Sequence, residues 1–183
     1  MLPFERHRDT LLVVDLQVGL RRADLGPAQQ PRPWNDGRPS CCARGAGLDA
    51  RSCTWRHMST EEPSPLRPGQ PGNEFKPGSA PVAGETVIEK RVNSAFIGTS
   101  SRLDLRRAGC RGLVIVGLTT NHCVSTTARM AGNLGFATWA VSDATATFDR
   151  VGPDGVKHLA EHIHAIALSD LHGEFATVVD TSR

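Results

Sequence analysis

No stretch of this chain approaches the roughly 18 consecutive apolar residues that a membrane-spanning helix needs. The opening residues, MLPFERHRDT, carry no extended apolar core of the kind found in a secretory signal. Charge of one sign is also scarce. The 21 Lys and Arg against 19 Asp and Glu leave a net charge of +2, which argues against a nucleic-acid partner. Paired CxxC spacing is missing from the five cysteines (Cys41, Cys42, Cys53, Cys110, Cys123), so neither a zinc site nor a disulfide framework is indicated. These absences lead us to expect a cytoplasmic protein with free thiols and no membrane or nucleic-acid partner.

What is present is ordinary globular composition. Of 183 residues, 39% are apolar and 22% charged, enough for one domain, expected over residues 1–183, with a substantial core. TLLVVDLQ begins with a continuous apolar run at Leu11–Val14, the mark of a buried strand, and ends at Asp15. From Val87 onward strands and helices alternate. TVIEKR, GLVIVG, ATWAVSD and FATVVDT read as strands. Ser101–Ala108, Val124–Leu134 and Gly155–Leu171 read as helices. That alternation argues for right-handed βαβ units and an α/β fold: a three-layer αβα, Rossmann-like arrangement around a mostly parallel sheet.

In such sheets functional groups gather at the carboxyl ends of the strands. Asp15, Lys90 and Cys123 all stand at such ends. A thiol attacks as thiolate, and a helix N-terminus or a nearby cation favours that anion. Cys123 opens the predicted helix, Lys90 supplies a cation, and Asp15 is a general base for the thiol proton. The turn GLTTNHC offers backbone N–H groups for an oxyanion. Taken singly, each residue has a commonplace explanation as core filler, turn former or solvated cation. It is the three together that point to a site.

LLVVDLQVGL, VIEKRVNSAFIGT, GLTTNHCVSTTARMAGNLGF and VSDATATFD together resemble the isochorismatase-like cysteine hydrolases. That family includes nicotinamidases, N-carbamoylsarcosine amidases and ureidoacrylate-type amidohydrolases. The resemblance implies a parallel sheet of about six strands and a catalytic triad in which Asp15 is the base, Lys90 the cation and Cys123 the nucleophile. It also implies a non-proline cis peptide at Leu118–Thr119, with the N–H groups of Thr119 and Cys123 as oxyanion donors. Gln17, Asn93 and Phe96 are candidate substrate contacts. The reaction implied is hydrolysis of an amide, ureido or imide C–N bond in a small molecule, through a thioester and without a cofactor. A homo-oligomer is expected, as in many relatives. Nicotinamidases bind a metal through one Asp and two His; His57 is the only histidine of that region here, so no metal is expected.

One segment departs from the resemblance. Between Asp24 and Arg56 relatives carry a long amphipathic helix and a buried second strand, and this sequence shows the pattern of neither. It is rich in Pro, Gly and Arg. Either it is a divergent insertion or it is translated out of frame. SCC encoded as TCC-TGC-TGC contains CTG-CTG one base earlier, and RSCTW can be encoded to contain Val-Met-His-Val. Losing that strand would expose the edge of the strand carrying Asp15. The alternative function is therefore a catalytically inactive member: a binding or scaffold protein, or the product of a damaged gene.

Overall fold

The computed structural model describes residues 8–20, 28–29 and 51–181. Its strands are β1 (Asp9–Val14), β2 (Ala28–Gln29), β3 (Arg51–His57), β4 (Thr86–Lys90), β5 (Gly112–Leu118), β6 (Ala137–Phe148), β7 (Arg150–Val151), β8 (Lys157–His158) and β9 (Thr177–Val179). The helices are α1 (Ser101–Arg107), α2 (Ser125–Asn133) and α3 (Ala160–Leu171). Six strands pair in parallel in the order β4–β3–β1–β5–β6–β9, and β2 lies antiparallel to the end of β6.

The continuous apolar runs of β1 and β5 follow from burial on both faces of the sheet. Leu12, Val14, Leu113 and Ile115 build one core with Leu105 of α1, Ala128 and Ala131 of α2, and Leu168 and Leu171 of α3. The alternate residues Leu11, Val13, Val114 and Val116 build a second core with Val141, Ala144 and Ala146. The fold is the α/β type expected, with its six parallel strands.

Two expectations need correction. The second strand is present, as β3, paired with β1 on one side and β4 on the other. Its sequence, RSCTWRH, lacks an apolar run because only Thr54 and Trp55 are fully buried. The Thr54 hydroxyl is satisfied by Glu85 Oε1 at 2.7 Å, and the Trp55 indole N–H donates to the Ala95 carbonyl at 3.2 Å. The stretch where relatives carry the long helix, and most of the segment suspected of frame-shifting, lie outside the described residues. The last helix starts at Ala160 and not at Gly155, because Lys157–His158 pair with Arg150–Val151 in a hairpin.

Gly117 sets the approach of β5 to the end of β1. Its φ is +122°, and a Cβ there would lie 2.0 Å from the Val14 carbonyl oxygen. Any side chain must push the two strands apart just before Asp15 and the cysteine turn. Gly117→Ala is expected to lower unfolding stability by about 2–4 kcal/mol, measured by denaturant titration; a loss near zero would contradict this packing.

Candidate active site

Asp15 leaves β1 in the left-handed backbone region, with φ 51°. An Asp tolerates this conformation better than most residues, and its occurrence outside a turn marks a constrained position. The backbone N–H of Asp15 donates to the Trp55 carbonyl at 3.1 Å, so β3 holds it in place. Lys90 is the last residue of β4 and sits in register with His57, the last residue of β3. Cys123 lies in a wide π-type turn, Thr120–Val124, between β5 and α2. The Leu118–Thr119 peptide that precedes this turn is cis. The buried Thr120 hydroxyl contacts His164 Nδ1 at 2.8 Å, tying the turn to α3.

These elements converge on the Lys90 ammonium, which is buried at 1% exposure. Its Nζ lies 2.6 Å from Asp15 Oδ2. It donates to the Val92 carbonyl at 3.2 Å and to Cys123 Sγ at 3.3 Å, and His57 Nδ1 lies at 3.1 Å. Burial, then the Lys90 charge, lowers the His57 pKa below the ordinary imidazole value. A neutral imidazole is the form whose Nδ1 accepts from an ammonium, so the geometry and the electrostatics agree.

Burial pushes the Cys123 pKa up to about 12, and the negative charge of Asp15 adds to that shift; Lys90 opposes both. Lys90 acts in the direction expected of a thiolate-stabilising cation, against burial and Asp15. Cys123 Sγ lies within 4.8 Å of an Asp15 carboxylate oxygen, and among the described residues no donor hydrogen-bonds Asp15 Oδ1. The S–H group also has Asn93 Oδ1 within reach, at 3.6 Å.

Donor atoms of Asp15, His57 and Cys123 lie within 4.8 Å of one another, a set with the chemistry to hold a divalent metal. The Lys90 ammonium, however, sits within 3.3 Å of all three side chains. A metal does not fit there without displacing a cation already bound, and the Asp and two His of a nicotinamidase site are not assembled among the described residues.

Asp15, His57, Asn93, Thr119, His122, Cys123 and Arg150 line one cavity of about 380 Å³, with apolar walls from Leu20, Leu66, Leu118 and Phe148. Two expected substrate contacts lie elsewhere. Gln17 is fully buried. Its amide nitrogen donates to the His57 and Asn73 carbonyls at 3.0 and 2.9 Å, and its oxygen accepts from the His57 N–H at 2.8 Å. It clamps the wall behind the site. Phe96 stacks on Phe136 at 6.0 Å between ring centres, inside the core. Asn93 does face the cavity. His57 escaped sequence reasoning as a site residue because its strand was not recognised; the register with Lys90 is the signal that finds it.

Comparison with known proteins agrees with this architecture. The isochorismatase domain model matches residues 9–183. The chain is 44% identical to the isochorismatase family protein YrdC of Bacillus subtilis over 128 residues, 70% of this chain and 68% of that one. It is 33% identical to nicotinamidase 3 of Arabidopsis thaliana over 99 residues, covering 54% of this chain and 44% of that protein. An isochorismatase-family crystal structure from Chromobacterium violaceum superimposes with a TM-score of 0.90 at 38% identity, covering 99% of this chain and 93% of that one. The chain belongs to the isochorismatase family of hydrolases.

Proposed function

We propose that this chain hydrolyses the C–N bond of a small amide, ureide or imide, with Cys123 as nucleophile and no metal or organic cofactor. The observation that carries the reading is the convergence of Asp15, Lys90 and Cys123, from three separate elements, on one buried ammonium beside a cavity. The likeness to a nicotinamidase supports an amide as the group attacked.

A thiol with so high a pKa needs a base at the moment of attack. Asp15 Oδ1 takes the proton as the sulfur bonds to the substrate carbonyl carbon. Lys90, donating to the sulfur, stabilises the charge that develops there. The carbonyl oxygen becomes an oxyanion, received by the N–H groups of Thr119 and Cys123. Asp15 then returns the proton to the departing nitrogen, and ammonia or an amine leaves. Water, deprotonated by Asp15, attacks the thioester, and the acid is released with the thiol restored.

Cys123→Ala is expected to reduce ammonia release from a panel of small primary amides and ureides at least about 1,000-fold; turnover retained in that variant would exclude the mechanism. Asp15→Asn separates two roles. Removing the charge that raises the thiol pKa should accelerate alkylation of Cys123 by iodoacetamide at pH 8 by about tenfold, while amide hydrolysis is lost with the base. Alkylation slowed by this substitution would show that Asp15 does not oppose thiolate formation.

A further inference from the structure

The turn that presents Cys123 is held from behind. Thr119, His122 and Cys123 line the cavity, while Thr120 and Asn121 do not. Asn121 Oδ1 accepts from the Thr147 hydroxyl of β6, and the Thr120 hydroxyl meets His164 Nδ1 of α3 at 2.8 Å. The Thr120 backbone also closes the turn, because its carbonyl accepts the Ser125 N–H at the head of α2. The residue that reaches α3 is therefore one that shapes the loop carrying the sulfur.

His164 occupies a costly position. The buried residues of α3 are Ala160, Ala167, Leu168 and Leu171, and helical spacing puts residue 164 on the same face, one turn after Ala160. A ring with two polar nitrogens belongs on such a stripe only if those nitrogens are used. Burial lowers the His164 pKa below the ordinary imidazole value, with the Ser142 backbone acting against it, so the ring is neutral near pH 7. Thr120 is fully buried, and among the described residues its hydroxyl has this one partner. Were Nδ1 the donor, the hydroxyl proton of Thr120 would be left without an acceptor. The hydroxyl therefore donates, and Nδ1 accepts.

We infer that His164 is a positioning residue for the reaction: by accepting from Thr120 it fixes the turn so that Cys123 Sγ meets both Lys90 and the substrate carbonyl. The inference rests on the reading of Cys123 as nucleophile. His164 is not among the residues lining the cavity, so it acts through Thr120 and not by contact with substrate. The alignment it protects is narrow. Cys123 Sγ lies 3.3 Å from Lys90 Nζ. A displacement of about 1 Å breaks that hydrogen bond, and a misplacement of this size costs up to roughly 100-fold in rate.

Thr120→Val removes the donor at nearly constant volume and His164→Leu removes the acceptor, whereas Thr120→Ser and His164→Asn each keep one. For every variant kcat and KM for amide hydrolysis are measured, together with alkylation of Cys123, Cys53 and Cys110 by iodoacetamide at pH 8. Thr120→Val and His164→Leu should each lower kcat about tenfold with KM unchanged. Combined, they should cost no more than the larger single loss, and Thr120→Ser and His164→Asn should stay within about threefold of wild type. Burial is the largest influence raising the Cys123 pKa, so a released turn should also alkylate several-fold faster at Cys123. Cys53 within β3 and Cys110 ahead of β5 should keep their wild-type rates. An unchanged kcat in Thr120→Val, a loss that Thr120→Ser does not restore, or all three cysteines accelerating alike overturns the inference. No amide hydrolysis by the wild type, with the selective acceleration at Cys123 intact, would sink the hydrolase reading alone. Hydrolysis by Thr120→Val at the wild-type kcat would sink only the role of His164.

Discussion

A buried ammonium must be surrounded by acceptors, and this requirement organises the whole site. Lys90 has four: Asp15 after β1, His57 at the end of β3, Val92 after β4, and Cys123 after β5. The strand order β4–β3–β1–β5 places those four ends side by side. Removing any one strand would strand a charge in the interior, at a cost of several kcal/mol. The ion pair therefore couples the sheet order to the chemistry. It also explains why β3 persists in a sequence with few apolar residues: its backbone holds Asp15 through Trp55, and its last residue completes the shell around Lys90.

The same interaction bears on the proposed nucleophile. Lys90 divides its charge between a carboxylate and a sulfur, and the carboxylate is the nearer partner, at 2.6 Å against 3.3 Å. Burial and the neighbouring Asp15 charge push the thiol pKa up, and Lys90 opposes both. A raised pKa protects a half-buried cysteine from adventitious alkylation and oxidation, since the thiolate is the reactive form. Ionisation is then tied to the arrival of an electrophilic carbonyl.

Much of this was legible in the sequence because the signals were physical extremes. LLVV and LVIV have continuous apolar runs that only burial on both faces explains, and Asp15 and Cys123 follow directly after them. β3 was not legible, because Thr54 is buried through a hydrogen bond to Glu85 and contributes no apolar signal. The start of α3 was misplaced because Val156 and Leu159 fall at helical spacing yet are exposed, at 51% and 43%, in and after the hairpin. Gln17 and Phe96 lie close in sequence to Asp15 and Asn93, but sequence proximity does not fix side-chain direction. Gln17 turned to the backbone of His57, and Phe96 to the core.

The most direct test of this account is an ultraviolet titration of thiolate absorbance, wild type minus Cys123→Ala, from pH 6 to the alkaline limit of folding. The account predicts no thiolate signal from Cys123 at pH 8, where a free thiol of pKa about 8.5 is already partly ionised, and a rise only at strongly alkaline pH. A Cys123 thiolate present at or below pH 7 would contradict it, because Lys90 would then have outweighed burial and Asp15, and Asp15 would have no proton to take.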